Sequence, residues 1–167
     1  LPIPLGVEGA RESFDCKLRE DDFPLEQVKE QLNAALPPDI RVLEAAPAVN
    51  KPEAIAWADY RVQIFDPAGA AALERDWEDL LAQPAIPVEK KTKHRVQQLD
   101  LRPMIAERSR QGEGDCLTLE LRLPGGAAMN LNPNLLLEAL WRRRGGEAEY
   151  VRVLRTAILT AEQEPFA

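Results

Sequence analysis

The sequence predicts an α+β fold in which helices cover an antiparallel sheet, and three observations lead to that prediction. Between residues 117 and 123 every second residue is leucine, with polar residues between, which is typical of a half-buried strand. Around residues 73–81 and 136–141 the apolar residues recur at helical spacing. Strand and helix signals follow one another along the chain, which favours a mixed fold class.

The first 57 residues predict a partial domain built from a strand, a helix and a second strand. Alternating apolar and polar residues over 14–18 favour a strand. An apolar stripe over residues 25–36 predicts a helix, which Pro37 and Pro38 would end. A short strand over 40–43 follows, and the Ala- and Pro-rich residues 46–57 are interpreted as a linker and domain boundary.

Residues 58–167 predict a complete six-element unit, with a polar loop over residues 107–115. Its elements are a strand at 60–65, a helix beginning at Asp66-Pro67, an extended segment at 86–101 with a hairpin near Lys93-His94, a strand at 117–123, a helix from Asn132-Pro133 to Gly145, and a strand at 150–159. Two interleaved βαβ units give this order, which is the ferredoxin-like plan. We therefore predict a tandem ferredoxin-like architecture: a βαββαβ unit over 58–167, preceded by a half ferredoxin-like βαβ segment over 1–57.

Composition and motifs exclude several classes of protein. The 21 basic and 28 acidic residues give a net charge of −7, which argues against a dedicated nucleic-acid binder. We find no apolar run long enough to span a membrane and no secretory leader, so we expect a cytoplasmic protein with no membrane partner. One histidine, two distant cysteines and no glycine-rich phosphate motif indicate no metal site and no cofactor in this chain.

The densest basic run contains Lys90, Lys91 and Lys93 and is a candidate binding segment. Lysines on a hairpin can neutralise RNA phosphates, which is one interpretation. The other interpretation is a solvated hairpin tip whose lysines protect a sheet edge from pairing with other chains. Aromatic residues that could stack on bases are missing nearby, which argues against sequence-specific RNA recognition.

Asp100 and Arg102 form the second candidate site. Both follow the basic run, and their i, i+2 spacing predicts that they share one face of a strand that stops at Pro103. They could form a surface ion pair. Alternatively, Pro103 holds Arg102 so that its guanidinium projects into a cleft and binds a carboxylate or phosphate.

Six segments occur in an order that resembles a known bacterial family. They are Leu-Pro-Ile-Pro-Leu-Gly-Val-Glu-Gly at the start, Ser-Phe-Asp, Leu-Asn-Ala-Ala-Leu-Pro-Pro, Ala-Asp-Tyr-Arg-Val, Lys-Lys-Thr-Lys followed by Leu-Asp-Leu-Arg-Pro-Met-Ile, and Val-Leu-Arg-Thr near the end. Together they resemble the radical-SAM-linked family called domain of unknown function 2344. The first and last segments add Glu8 and Arg155 to the candidate binding residues.

The resemblance implies an accessory domain of a radical SAM protein, in the same chain or separate, that positions substrate or RNA without catalysis of its own. S-adenosylmethionine and an iron–sulfur cluster are then expected only on the partner or a fused domain. It also implies an N-terminal truncation, since family members carry a further βαβ-sized segment. Because residues 10–45 supply only one βαβ piece, we expect their sheet to have an unpaired edge through which a homodimer could form.

Two alternative functions stay open. An RNA-modifying or RNA-processing enzyme of tandem ferredoxin-like architecture would bring Asp100, Arg102 and Glu8 together in a concave pocket. A protein interaction module would instead show a flat apolar patch.

Overall fold

The structure, a computed structural model, describes residues 3–19, 23–91 and 96–166. Its elements in chain order are strand β1 (Val7–Gly9), helix α1 (Leu25–Ala35), β2 (Ile55–Phe65), α2 (Ala70–Leu81), β3 (Pro87–Lys91), β4 (Val96–Asp100), β5 (Ala106–Glu113), β6 (Cys116–Pro124), α3 (Pro133–Arg144) and β7 (Tyr150–Thr160). Two short 3-10 turns cover Pro52–Ala54 and Arg102–Met104. The predicted mixture of helices and strands is confirmed.

Five of the strands form one sheet in the order β1-β7-β2-β6-β5. Strand β1 runs parallel to β7, and all other neighbours in this sheet are antiparallel. The predicted pairing of the strand at 60–65 with the strand at 117–123 is confirmed, because Tyr60 lies opposite Leu121 and Ile64 opposite Leu117. Strands β3 and β4 form a separate antiparallel hairpin.

One face of the sheet carries the core. The leucines that alternate along β6 are buried, as are Tyr60, Val62 and Ile64 of β2, and they join one apolar cluster with residues of both α2 and α3. The hairpin adds Ile86 and Val88 to the same cluster. Both helices and the hairpin therefore pack against this face, where alternation placed the apolar side chains.

The second strand of the predicted six-element unit is corrected. Residues 107–115 were expected to be a surface loop, but β5 occupies this stretch and pairs with β6. The segment 86–101, predicted to be that strand, forms the separate hairpin. Strand β5 lies at the edge of the sheet, and most of its residues are exposed. Its backbone pairs with β6, but its side chains need not alternate between apolar and polar, so the sequence shows no strand pattern there.

The ends of the two long helices were predicted with unequal success. At α3 the Asn132 side chain accepts a hydrogen bond from the N–H of Asn134, and Gly145 ends the helix in the left-handed region at a φ of 83°, as expected. At α2 the helix begins at Ala70 rather than Pro67. The Asp66 side chain instead accepts from the N–H of Ala68 and pairs with Arg144.

The chain divides into two compact units that differ from the sequence division at residue 57. The larger unit contains the residues up to Glu12 together with Pro52–Phe166, and the smaller unit contains Ser13–Lys51. Strand β1 belongs to the larger unit because it pairs with β7. Strand β2 begins at Ile55, so the predicted linker is shorter than expected.

In the smaller unit, the helix of the predicted βαβ segment is confirmed and its two strands are wrong. Over residues 13–19 and 23–51 the structure contains helix α1 and no strand. The backbone of Val42 forms its hydrogen bonds with the side chain of Asn33 rather than with another strand. Its N–H donates to Asn33 Oδ1, and its carbonyl accepts from Asn33 Nδ2. The sheet edge expected from residues 10–45 is therefore missing from the described residues, and the dimer expected there loses its basis.

Candidate functional site

The backbone around Arg102 is held in place by the side chain of Asp100. The Asp100 Oδ1 atom accepts hydrogen bonds from the N–H of Ile86 at 2.7 Å and from the N–H of Arg102 at 3.0 Å. Strand β4 ends at Asp100, and Leu101 turns the chain into the 3-10 turn that contains Pro103. Asp100 and Arg102 therefore do not share a strand face, because the alternation stops at Leu101.

The same two hydrogen bonds act on the acidity of Asp100. The N–H groups of Ile86 and then Arg102 stabilise the charged carboxylate, and they lower the pKa of Asp100 below its ordinary value of 3.8. Since the folded state binds this proton less tightly than the unfolded state, the stabilisation is fully present above pH 3.8 and is lost as pH falls through the lower folded pKa. The ionised carboxylate of Asp100 therefore stabilises the turn by accepting two backbone hydrogen bonds.

Arg102 lines an open pocket of about 470 Å³ beside the sheet edge. The 3-10 turn supplies Arg102, and the end of α2 supplies Glu78 together with the apolar Leu81 and Ala82. The remaining lining residues are Ile105, Glu107 and Arg110, which lie in β5 or just before it. This volume lies within the usual range of small-molecule sites. Three different elements therefore bring charged and apolar side chains together at one place.

The three charged residues other than Arg102 form a connected network. Arg110 Nη2 lies 2.8 Å from Glu78 Oε1, and Arg110 Nε lies 3.6 Å from Glu107 Oε1. The indole N–H of the buried Trp77 donates to Glu107 Oε2 at 2.5 Å. Because Trp77 belongs to the core, it fixes Glu107 and through it the position of Arg110.

The Arg102 guanidinium has no ion-pair or hydrogen-bond partner among the described residues, although its positive charge helps to lower the pKa of Asp100. Its backbone is fixed by Asp100, and its side chain is half-buried. A guanidinium presents several N–H donors in a planar fork that fits a carboxylate or phosphate. The arrangement can therefore bind an anionic group.

Glu8 does not join Asp100 and Arg102. It lies on β1, at the edge of the sheet opposite β5, and both of its carboxylate oxygens accept from Arg152 at 2.8 Å. This pair is exposed, and the hydrogen bonds from Arg152 lower the pKa of Glu8. The concave pocket containing all three residues, expected for an enzyme, is therefore not formed by the described residues.

Arg155 is a buried part of the sheet rather than an accessible binding residue. It lies opposite Tyr60 on the core face and is only 2% exposed. Its guanidinium makes a two-pronged contact with the carboxylate of Glu12 and also bonds to Tyr60. Burial raises the pKa of Tyr60, and the charge of Arg155 acts in the opposite direction.

The basic run is only partly described. Lys90 Nζ donates to the carbonyl of Asn130 at 3.1 Å, so this lysine is attached to the loop before α3. Lys91 is the last residue of β3, and Lys93 lies outside the described residues. The single described contact therefore gives Lys90 a structural role.

The sequence singled out Arg102 as a candidate but not Glu78, Glu107 and Arg110, which line the same pocket. One signal could have pointed to the last two. Gly114 and Asp115 precede the clear strand β6, and a short turn before a strand indicates a partner strand on its other side. That strand is β5, and its register places Glu107 opposite the buried Leu121, on the face toward the helices.

Metal clusters and membrane-spanning helices are both missing from the described residues. No group of three or more His, Cys, Asp or Glu side chains in this part of the chain could hold a metal ion. None of its helices is long and apolar enough to cross a membrane.

The fold and pocket together define an α+β domain with a charged pocket beside one edge of its sheet. The chain belongs to a family of uncharacterised proteins conserved in bacteria, domain of unknown function 2344, whose model matches residues 1–133. The match includes β1 to β6 and every residue of the Arg102 pocket. No curated protein and no solved structure matches the chain.

Proposed function

We propose that this protein is a non-catalytic binding domain that serves a radical SAM protein and uses Arg102 to hold a negatively charged group of the substrate. One observation carries the proposal: the Arg102 guanidinium lines an open pocket without a partner among the described residues, while Asp100 and Pro103 fix its backbone. The cofactor and iron–sulfur cluster would belong to the radical SAM protein. The family resemblance described above supports that choice of partner.

We also propose that the larger unit follows the ferredoxin-like plan. Strands β2, β5, β6 and β7 with helices α2 and α3 have the order βαββαβ, and their order in the sheet is β7-β2-β6-β5. Two interleaved βαβ units give this arrangement. Strand β1 would then be an addition to one edge of the plan.

The proposal is tested with Arg102→Lys in the full chain. A lysine keeps the positive charge but cannot form the two-pronged contact, so radical SAM turnover reconstituted with this variant should fall about tenfold or more. Thermal stability should stay nearly unchanged, because no described ion pair or hydrogen bond of the Arg102 side chain is lost.

Arg75→Lys is the matched control, since Arg75 is an exposed arginine on α2 outside the pocket lining. It should change neither turnover nor stability. Unchanged turnover of Arg102→Lys would remove Arg102 from the site. A large loss of stability instead would indicate a buried structural role.

A further inference from the structure

The charges that line the Arg102 pocket cancel. Arg102 and Arg110 contribute two positive charges, and Glu78 and Glu107 contribute two negative charges. Arg110 is shared between both carboxylates, whereas the Arg102 guanidinium forms no ion pair or hydrogen bond among the described residues and acts on Asp100 through its charge alone. The pocket therefore offers one available cation beside two carboxylates that share a single guanidinium.

This balance disfavours a phosphate or another polyanion. Such a ligand would be attracted by Arg102 and Arg110 and repelled by Glu78 and Glu107, and these opposing interactions are of similar size at similar distances. Sites that hold multiply charged anions usually concentrate positive charge instead. A ligand that also carries a positive charge would instead be attracted by the two carboxylates.

The two carboxylates can also accept further hydrogen bonds. An ionised carboxylate has about four acceptor positions. Among the described residues, Glu78 contacts Arg110 alone. Glu107 contacts Arg110 and the indole N–H of Trp77. These acceptors suit an ammonium group, which carries three donors and a compact positive charge.

We infer that the pocket takes a zwitterion: a small molecule with an apolar body, one carboxylate and one ammonium. The carboxylate binds Arg102, the ammonium lies against Glu78 and Glu107, and the apolar part contacts Leu81, Ala82 and Ile105. The inference rests on the proposed function and adds the class of ligand. A free amino acid and a short peptide share this chemistry and differ in the distance between their charges.

The test is a nuclear magnetic resonance titration of the full ¹⁵N-labelled chain. The Trp77 indole N–H reports on Glu107, which accepts its hydrogen bond, and the Arg102 Nε–H reports on the carboxylate. Comparison with Trp77→Phe and Arg102→Lys assigns the two signals. The probes are leucine, the dipeptide leucyl-leucine, leucinamide, N-acetylleucine and inorganic phosphate.

We expect leucine or leucyl-leucine to shift both signals with a saturable midpoint. Leucinamide lacks the carboxylate and N-acetylleucine lacks the ammonium, so each should bind at least about tenfold more weakly than leucine, as expected when one charge-assisted contact is lost. Saturation by leucine identifies an amino acid as the source, and saturation by the dipeptide alone identifies a peptide.

A variant separates the ammonium contact from the fold. Glu78→Gln changes an exposed residue and should weaken the binding of leucine about tenfold without weakening that of N-acetylleucine, whose carboxylate Glu78 repels. Glu107→Gln is less suitable, because Glu107 holds the buried Trp77.

Two results would overturn the inference in different ways. N-acetylleucine or phosphate could shift the Arg102 signal with a midpoint equal to or below the midpoints of both leucine and leucyl-leucine. In that case the pocket does not prefer a zwitterion, and the proposed anion site stands. If no probe shifts the Arg102 signal, the zwitterion and the proposed function are both wrong.

Discussion

Two arginine–glutamate pairs attach the segment around β1 to β7, and they differ mainly in burial. Glu8 and Arg152 form an exposed pair, with side chains that retain 51% and 46% of their exposure. Glu12 and Arg155 have the same two-pronged geometry, but Arg155 is buried on the core face. The chain therefore contains a natural comparison between two ion pairs of one chemistry.

We expect Glu12→Ala to destabilise the protein by about 3 kcal/mol, because it leaves the buried charge of Arg155 without its carboxylate. Glu8→Ala should have little or no effect, since solvent screens an exposed pair. Chemical denaturation of both variants measures the difference. Equal and small effects would show that Arg155 reaches water once Glu12 is removed.

At the scale of single elements, the strands that sequence patterns predict well are those whose faces differ in polarity. Strand β6 was predicted closely because its leucines face the core and its charged residues face outward. The alternation over residues 14–18 looked similar, but no strand among the described residues pairs with it. Alternation identifies two faces, whereas a strand also needs a neighbour for its backbone hydrogen bonds.

Strand β5 shows the reverse case, and it explains why the site was only partly predicted. Its residues are mostly charged or polar, so only the register with β6 gives Glu107 and Arg110 their positions. Arg102 became a candidate because Pro103 follows it, which is a local signal. The neighbours of Arg102 come from distant segments, and no local pattern places them together.

The loop after β6 gives a test at the same scale. A Cβ atom at Gly126 would collide with the carbonyl oxygen of Ile55 and approach Ala56 Cα to 3.2 Å. Gly126→Ala should therefore destabilise the protein by roughly 1–3 kcal/mol, the usual cost of overpacking. Gly146→Ala is the matched control, because a Cβ atom there would have no other atom within 4 Å, and it should be close to neutral. Thermal unfolding of the two variants decides the matter.

At the scale of the whole molecule, the two compact units differ in how much apolar surface they bury. The larger unit contains the core cluster, whereas helix α1 of the smaller unit has no buried residue. An apolar pocket of about 450 Å³, lined by Phe23, Val28 and Leu32 among others, lies beside this helix. Local stability follows buried apolar contacts, so the smaller unit should open more readily.

Hydrogen exchange of the full chain tests this difference. We expect amides of α1 to exchange at least about 100-fold faster than those of β2, because opening α1 exposes little buried surface. Mass spectrometry of peptides from the two elements gives both rates in one experiment. Equal protection of α1 and β2 would contradict the expectation and would show that α1 opens only with the core.

The position of β7 between β1 and β2 has a consequence for synthesis on the ribosome. Of the strands described, β7 is translated last, yet it joins the first strand to the centre of the sheet. Until it leaves the exit tunnel, β1 has no partner, and β2 has an open edge on the side that β7 will occupy. While the residues from β1 to β6 are translated, the strand edges that β7 will cover stay unpaired, and such edges can pair with other chains.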